Sequence, residues 1–460
     1  MGPRRYHACR PMSDLHLLPQ DSFAPVRAGV VGAGYVGLTT GACLAHLGHH
    51  VVCADIDEER VERLRRGEIP IVEEGLAEVV AEGLSSGRLT FAVGAAAAAA
   101  DADVVFLCVP TPQGADGGAD LRYIETAAAQ IAPVLKAGAL VVNKSTVPVG
   151  STRAVEDVLQ RPDVAVVSNP EFLREGTAVY DFLNPDRVVI GADDRSAGER
   201  LGDMYAGLNA PVIITDPASA ETIKYAANGF LAMKISFVNA IAAMCEAVGA
   251  NVDDVVEGIG ADKRIGTAFL KPGPGWGGSC FPKDSRALVK IAADYGYDFT
   301  MMKGVIDVND EQKRRMVAKV RRAVGLAPGR GLKGTVVGVL GLAFKAGTDD
   351  LRDSPSLTMV SSLIAGGARV RAFDPTVDVA PEGAKATVLA GIELVGSIRE
   401  AATGAKVLVI ATEWPEFAKI DLDELATLMQ PDAVVVDTRN LLDAASVRAA
   451  GLRYDGVGRR

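Results

Sequence analysis

The stretch that decides the fold runs from Val26 to Asp55, VRAGVVGAGYVGLTTGACLAHLGHHVVCAD. An apolar strand, Val26 to Val31, leads into the turn Gly32-Ala33-Gly34-Tyr35-Val36-Gly37; an apolar helix follows to Gly48, then a second strand, Val51 to Ala54. This is a βαβ unit of about 30 residues with Gly-x-Gly-x-x-Gly where strand gives way to helix. Gly32 permits the tight turn, Gly34 lets the backbone approach a pyrophosphate, and Gly37 allows helix and strand to pack closely. The helix N-terminus adds N–H groups and a positive dipole end. Asp55, at the end of the second strand, can accept hydrogen bonds from ribose hydroxyls and would repel a 2′-phosphate. The pattern therefore predicts a dinucleotide site that takes NAD rather than NADP.

Residues 28 to 54 contain no Lys, Arg, Asp or Glu, a run long enough to cross a bilayer. Its six glycines, Thr39-Thr40 and three histidines break it into strand, turn, helix and strand, so no membrane span is expected. Further strand-like runs follow at Thr90 to Val93, Val104 to Val109, Leu140 to Asn143, Val164 to Ser168 and Arg187 to Ile190, with helical stretches such as Leu121 to Leu135 between them. Strands alternating with helices predict a mostly parallel sheet. The alanine run Ala95 to Ala100 reads as the end of a short helix. From Ala218 to Gly249 there is no Pro and one interior glycine, Gly229, which predicts a helix roughly 45 Å long. A second α/β pattern follows, with strands at Thr335 to Leu340, Ala368 to Phe373, Val407 to Ala411 and Ala433 to Asp437, and a helix from Ser356.

The fold class is thus α/β, with two Rossmann-like doubly wound domains joined by a long central helix and a helical linker domain. The expected divisions are a disordered extension over 1–24, with Met12 as an alternative start, a NAD-binding domain over 25–215, a central helical dimerisation domain over 216–325, a second Rossmann-like domain over 326–450 and a tail over 451–460. At about 150 residues per domain, 460 residues accommodate them. Apolar residues make up 48% and charged residues 23%, an ordinary globular composition. A formal net charge of −10 argues against nucleic acid as a partner. All five histidines lie in the first 50 residues, so the rest of the chain cannot host a His-based triad or His-ligated zinc, and no metal is expected. The six cysteines are scattered without a Cys-x-x-Cys pair and read as reduced thiols of a cytoplasmic protein.

Lys224 and Asn228 are four apart on the long helix and so project from one face. Cys280 sits in Gly277-Gly278-Ser279-Cys280-Phe281-Pro282-Lys283-Asp284, where the glycines let backbone and ligand come close. Taken singly, a helical Lys is most often a surface residue and a lone Cys a small buried hydrophobe. Taken together with Lys144-Ser145-Thr146-Val147-Pro148, Asn169-Pro170-Glu171-Phe172-Leu173-Arg174-Glu175-Gly176, Arg264-Ile265-Gly266 and Phe344-Lys345 with Arg352, these segments resemble the nucleotide-sugar dehydrogenases. The resemblance runs from about residue 26 to 445, and Lys263-Arg264-Ile265-Gly266 is most similar to the UDP-glucose branch.

The resemblance implies oxidation of UDP-glucose to UDP-glucuronate with two NAD⁺ consumed. It gives Cys280 as a nucleophile that traps the intermediate aldehyde as a thiohemiacetal and then a thioester, with Lys224 and Asn228 stabilising oxyanions. Proton removal falls to Asp284, Lys224 or a water held by Thr146 and Asp284, and Glu171 is the matched carboxylate for thioester hydrolysis. The cofactor is expected on Gly32, Gly34, Tyr35, Val36, Gly37, Asp55, Arg60, Thr111, Thr146, Glu175, Lys283 and Arg352. The UDP-sugar is expected on Phe172, Leu173, Glu175, Lys224, Asn228, Arg264, Gly277, Phe344, Lys345 and Arg439, with Arg264 reaching a neighbouring subunit's ligand in a homodimer or higher homo-oligomer. Trp276 and Gly229 depart from the pattern. Other readings are the dehydrogenase of another nucleotide sugar, a UDP-N-acetylated hexosamine or GDP-mannose, a two-electron β-hydroxyacid dehydrogenase, and a silent nucleotide-sugar sensor.

Overall fold

The computed structural model describes residues 24–114, 118–325 and 331–459. The extension expected over 1–24 lies, apart from its last residue, outside the described residues. The chain divides into two compact units with the boundary between Lys224 and Tyr225.

In the first unit the strands are β1 (Arg27–Val31), β2 (His50–Asp55), β3 (Leu89–Val93), β4 (Val104–Leu107), β5 (Leu140–Asn143), β6 (Ala165–Ser168), β7 (Val188–Gly191) and β8 (Val212–Thr215). They form one sheet in the order β3-β2-β1-β4-β5-β6-β7-β8. Every pairing is parallel except β6 with β7, which meet antiparallel at Ser168 and Gly191. Alternate residues of single strands feed two separate cores: Val30, Phe106 and Val142 enter one, Val31, Val105 and Val141 the other. A parallel sheet covered on both faces needs such unbroken apolar runs. The alanine run forms the helix Ala95–Ala99. A Cβ on Gly29 of β1 would stand 2.3 Å from the Ala98 carbonyl oxygen, so small residues on both sides let this helix lie against the sheet.

The second unit holds β9 (Val336–Leu340), β10 (Arg369–Phe373), β11 (Glu393–Leu394), β12 (Val407–Ile410), β13 (Val434–Asp437) and β14 (Arg453–Gly456), in the order β11-β10-β9-β12-β13-β14 and parallel throughout. The residues set apart as a tail over 451–460 therefore carry the edge strand β14, whose Arg453-Tyr454-Asp455-Gly456 has none of the apolar character that marks a central strand. Buried Lys319 anchors this end, pairing with Asp455 Oδ1 at 2.7 Å and Glu246 Oε1 at 2.9 Å. Gly458 N–H donates to the same Glu246 oxygen. The long helix spans Pro217–Val248, one residue from its expected limits at each end. The helices Val252–Gly260, Phe281–Asp294 and Thr300–Ala323, assigned to a separate linker domain in the sequence, group with the second sheet in one unit.

Candidate active site

The glycine turn of the first unit follows β1. Gly32 has φ +100, and a Cβ there would lie 2.6 Å from the Cys108 carbonyl oxygen just beyond β4. A Cβ on Gly37 would stand 1.8 Å from the Gly32 carbonyl oxygen, so packing alone requires this glycine. Gly34 differs: its φ of −78° suits any residue, and a Cβ would meet nothing within 4 Å. Close approach of a ligand is the remaining reason for a glycine at 34, and it fits a dinucleotide pyrophosphate at the N-terminus of helix Tyr35–His46. Asp55 Oδ2 accepts from Ala33 N–H at 2.8 Å and from Arg60 Nη1 at 3.3 Å, and Oδ1 accepts from Asp57 N–H at 3.0 Å. The carboxylate therefore fixes the turn, a task beyond the ribose contact expected of it from the sequence. Thr111 Oγ1 donates to the Thr146 carbonyl at 2.9 Å, which ties together the loops after β4 and β5.

After β6, the run Asn169–Gly176 meets the start of the long helix. Lys224 Nζ donates to the Glu171 carbonyl at 2.7 Å and to Glu171 Oε1 at 2.9 Å, and Leu173 N–H donates to Glu171 Oε2 at 2.6 Å. Both partners are nearly sealed from solvent, with side-chain exposures of 4% and 5%. Burial works to raise the Glu171 carboxyl, but the Lys224 ammonium and the Leu173 N–H outweigh it and hold the group below the usual carboxylate range. Both oxygens of this expected hydrolytic carboxylate are thus already engaged. The Phe172 ring lies 3.6 Å from the Arg187 guanidinium and 5.4 Å from Lys224 Nζ.

Two supporting residues, Glu221 and Glu73, escaped the sequence reading, and a third, Lys144, stands there in a motif without a role. Glu221, one turn before Lys224, accepts from Gly150 N–H, Thr152 N–H and Thr152 Oγ1 at 2.7 to 3.0 Å, which seats the helix Ser151–Leu159 that follows Thr146. Glu73 takes N–H groups at the end of the Asn169–Gly176 run. Lys144 is buried, donates to Asn169 Oδ1 at 2.9 Å and is lowered to about 8 by that burial. Tyr205 O–H donates to the same Asn169 oxygen at 2.6 Å, so the residue opening the run is held from two sides.

In the second unit, Cys280 is the N-cap of helix Phe281–Asp294, with its sulfur 3.5 Å from Ser279 Oγ. The exposed N–H groups and dipole of a helix N-terminus suit an anionic sulfur. One turn on, Asp284 is 1% exposed; its Oδ2 accepts from Asn228 Nδ2 at 2.6 Å and its Oδ1 from Lys283 Nζ at 2.7 Å. Asn228, Lys283, Asp284 and Cys280 are thus brought together. The glycines before Cys280 are required by close contacts, with backbone at Gly277 and with a side-chain ring at Gly278, whose φ is +79. A Cβ on Gly277 would stand 2.1 Å from the Asp353 carbonyl oxygen, and one on Gly278 would stand 2.8 Å from the Phe344 ring. Buried polar groups hold the approach to this loop: Asn239 and Gln312 bond to Gly273, and Asn309 takes Trp276 N–H and gives a bond to its carbonyl. Trp276 is itself a core residue, packed with Ala232, Met302 and Val305, with its Nε1 donating to Ser236. Gly229 has a packing reason as well, since a Cβ would come within 3.1 Å of Leu288 and 3.2 Å of Met302.

Arg439 donates from Nη2 to the Phe344 carbonyl at 2.8 Å and from Nε to the Ala411 carbonyl at 2.9 Å, bracing the Phe344 loop. Lys345 lies 5.6 Å from the Phe344 ring centroid. Arg352 and Arg264 are exposed at 65% and 89% and pair with Asp350 and Asp262 two residues before them. Ion pairs so exposed contribute little to stability.

Three family domains match in order: residues 26–209 the NAD binding domain, 218–311 the central domain and 338–444 the UDP binding domain of the UDP-glucose/GDP-mannose dehydrogenase family. The chain is 47% identical over 440 residues to a UDP-glucose 6-dehydrogenase of Rhizobium meliloti, covering 94% of this chain and 99% of that one. To a UDP-glucose 6-dehydrogenase of Pseudomonas aeruginosa it is 45% identical over 447 residues, covering 94% and 98%. Among solved structures, a UDP-glucose dehydrogenase from Pyrobaculum islandicum superposes with a TM-score of 0.86 at 39% identity, over 96% of this chain and 100% of the other. With the dinucleotide turn, the Lys224 cluster and the Cys280 loop all in place, the chain belongs to the UDP-glucose/GDP-mannose dehydrogenase family and carries its NAD-binding domain.

Proposed function

We propose that this chain oxidises UDP-glucose to UDP-glucuronate through a thioester on Cys280. The observation that carries the reading is a cysteine at a helix N-terminus, one turn from a buried Asp284 that is hydrogen-bonded to Asn228. The UDP-glucose branch is favoured by relatives of that name at 45 to 47% identity, against 28% for a UDP-D-ManNAc dehydrogenase from Pyrococcus horikoshii.

When bound, NAD⁺ supplies the hydride acceptor for each of two oxidations. The first removes a hydride and a proton from the primary alcohol to give the aldehyde. The Cys280 thiolate then adds to the aldehyde carbon, and the resulting oxyanion is met by the Lys224 ammonium and the Asn228 amide. Such a donor contributes about 10²–10³ in rate. Loss of a second hydride turns the thiohemiacetal into a thioester; water adds to its carbonyl, the C–S bond breaks, and carboxylate and free thiolate result. Lys224, engaged twice by Glu171, is suited to hold charge rather than to take a proton. Proton removal is left to Asp284, whose oxygens accept from Asn228 and Lys283, or to a water it holds with Thr146, and Glu171 acts by holding Lys224 in place.

Two further parts belong to the proposal. The apolar residues Phe230, Phe237, Met244 and Val248 form one stripe of the long helix and are each more than half exposed, which supports a second copy of this chain as partner. Among the described residues no disulfide joins Cys43, Cys53, Cys108, Cys245 or Cys280, which supports a cytoplasmic location.

The test is Cys280→Ser incubated with NAD⁺ and a panel of UDP- and GDP-sugars, counting NADH per sugar consumed. The parent should give two NADH with UDP-glucose, while the variant binds both ligands and forms no carboxylate. One NADH per sugar in the parent, or full activity in the variant, removes the thioester.

A further inference from the structure

Glu73 lies in the connection between helices Glu58–Arg65 and Leu76–Ser85, next to a second glutamate, and its local sequence gives it no distinction. Its side chain is nonetheless about nine-tenths buried and collects donors from two remote segments. Gly176 N–H donates to Oε2 and Ala178 N–H to Oε1, both at 2.6 Å. The Tyr35 hydroxyl donates to Oε2 as well and lies 3.3 Å from the Arg174 carbonyl. Burial and then the Glu73 charge raise the Tyr35 phenol far above its ordinary range, so it remains a neutral donor at any physiological pH.

The two segments have different tasks. Tyr35 is the first residue of the helix that follows the glycine turn, where backbone N–H groups face a pyrophosphate. Gly176, with φ +83, ends the run that carries Glu171, Phe172, Leu173 and Glu175. A buried carboxylate is stable only while its donors stay in place. Displacing either segment therefore strips Glu73 of partners, and ordering one segment helps to order the other.

We infer that Glu73 is a positioning residue that couples the dinucleotide turn to the sugar loop, so that each ligand binds more tightly when the other is present. The inference rests on the functional reading above, with NAD at the turn and the UDP-sugar at the loop. Two sites linked through one element of this kind show couplings of about 5- to 150-fold, and the effect is reciprocal.

The test uses NADH and UDP-glucose, a pair that cannot turn over, in calorimetric titrations of the full chain. Each dissociation constant is measured alone and with the other ligand saturating. The parent should bind each ligand about 5-fold or more tightly in the presence of the other. Glu73→Gln and Tyr35→Phe should each reduce that ratio below about 2-fold, and the double variant should add nothing further. A purely structural role would lower the unfolding temperature and leave the ratio intact, so a parental ratio in Glu73→Gln overturns the inference. Should that variant not fold, Tyr35→Phe carries the same test. A parent that binds both ligands without coupling overturns this inference alone, whereas a parent that does not bind UDP-glucose overturns the functional reading with it.

Discussion

Replacing Gly34 and Gly37 separately by alanine divides what the glycine turn needs for its own shape from what it needs for a ligand. At Gly37 the new methyl would stand 1.8 Å from the Gly32 carbonyl oxygen and 3.0 Å from Cys108 Cβ. A carbon–oxygen contact closes to about 3.3 Å at best, so turn and helix must part by about 1.5 Å. Overpacking of this kind costs about 1–3 kcal/mol or more, which lowers the midpoint of a unit this size by roughly 2–12 °C. At Gly34 the methyl meets nothing within 4 Å, and φ −78° with ψ −165° is extended backbone open to alanine. Alanine gains about 0.4–1 kcal/mol by restricting the unfolded chain and loses a similar amount as a poor N-cap, so the midpoint should stay within about 3 °C. Its methyl nevertheless occupies the approach to the turn, and NADH affinity should fall about 10-fold or more, equivalent to ~1.4 kcal/mol. Thermal unfolding and NADH titration of both variants check this, with UDP-glucose binding as control. A Gly34→Ala protein that binds NADH like the parent, or loses as much stability as Gly37→Ala, refutes the reasoning.

Lys224→Met should lower kcat by about 10²–10³ and also destabilise the first unit by about 3–5 kcal/mol, because Glu171 is left charged, buried and without its counter-ion. Adding Glu171→Gln should restore much of the stability and none of the activity, as measured by urea unfolding beside turnover. Buried His49 accepts Val26 N–H at Nδ1, 3.2 Å away, and lies 3.0 Å from the Met204 carbonyl at Nε2, an arrangement that fits the neutral ring. Burial lowers its proton affinity in the fold. The unfolded chain therefore takes a proton first, and stability should fall as pH drops below about 6.5, by up to about 1.4 kcal/mol per unit. Urea midpoints from pH 8 to 5 should show this slope, and His49→Asn should flatten it.

What the sequence made legible is whatever a short window contains. The βαβ unit, the long helix and the Cys280 segment are written in consecutive residues, and their limits agree with the structure to within a few positions. The residues that hold the candidate site in shape could not be read this way. Glu73 meets donors 103 and 105 positions away, and Glu221 reaches 71 positions back to Gly150. In local sequence each resembles a solvated surface carboxylate. Trp276 and Gly229, which depart from the pattern, are explained by contacts of the indole with Ser236, Met302 and Val305 and by the closeness of Leu288 and Met302 to Gly229, which no window spans. The edge strand β14 was missed for the opposite reason, since only Gly456 of its four residues is fully buried and its charged residues imitate a tail.

The two sheets repeat one device with different outcomes, and the difference can be tested. In the first, Asp55 ends β2 and takes Ala33 N–H from the turn after β1; in the second, Asp374 follows β10 and takes Leu342 and Ala343 N–H from the turn after β9. Gly32 and Gly341 open these turns with φ +100 and +96, packed against the residues just beyond β4 and β12. Asp374 is 2% exposed and is further occupied by Thr376 N–H, Thr376 Oγ1 and Trp414 Nε1. Its oxygens are consumed in holding the turn, whereas Asp55 keeps a partly exposed carboxylate beside Arg60. Asp374→Asn places an amide among N–H donors, leaving at least one unsatisfied at about 1–3 kcal/mol, and should lower the unfolding midpoint while NADH affinity stays within about 2-fold. Asp55→Asn should do the reverse, weakening NADH much more than UDP-glucose, because its turn retains one acceptor oxygen while the ribose loses a charged one. If Asp374→Asn weakened NADH as much as Asp55→Asn does, the second turn would not be the structural copy its saturated carboxylate indicates.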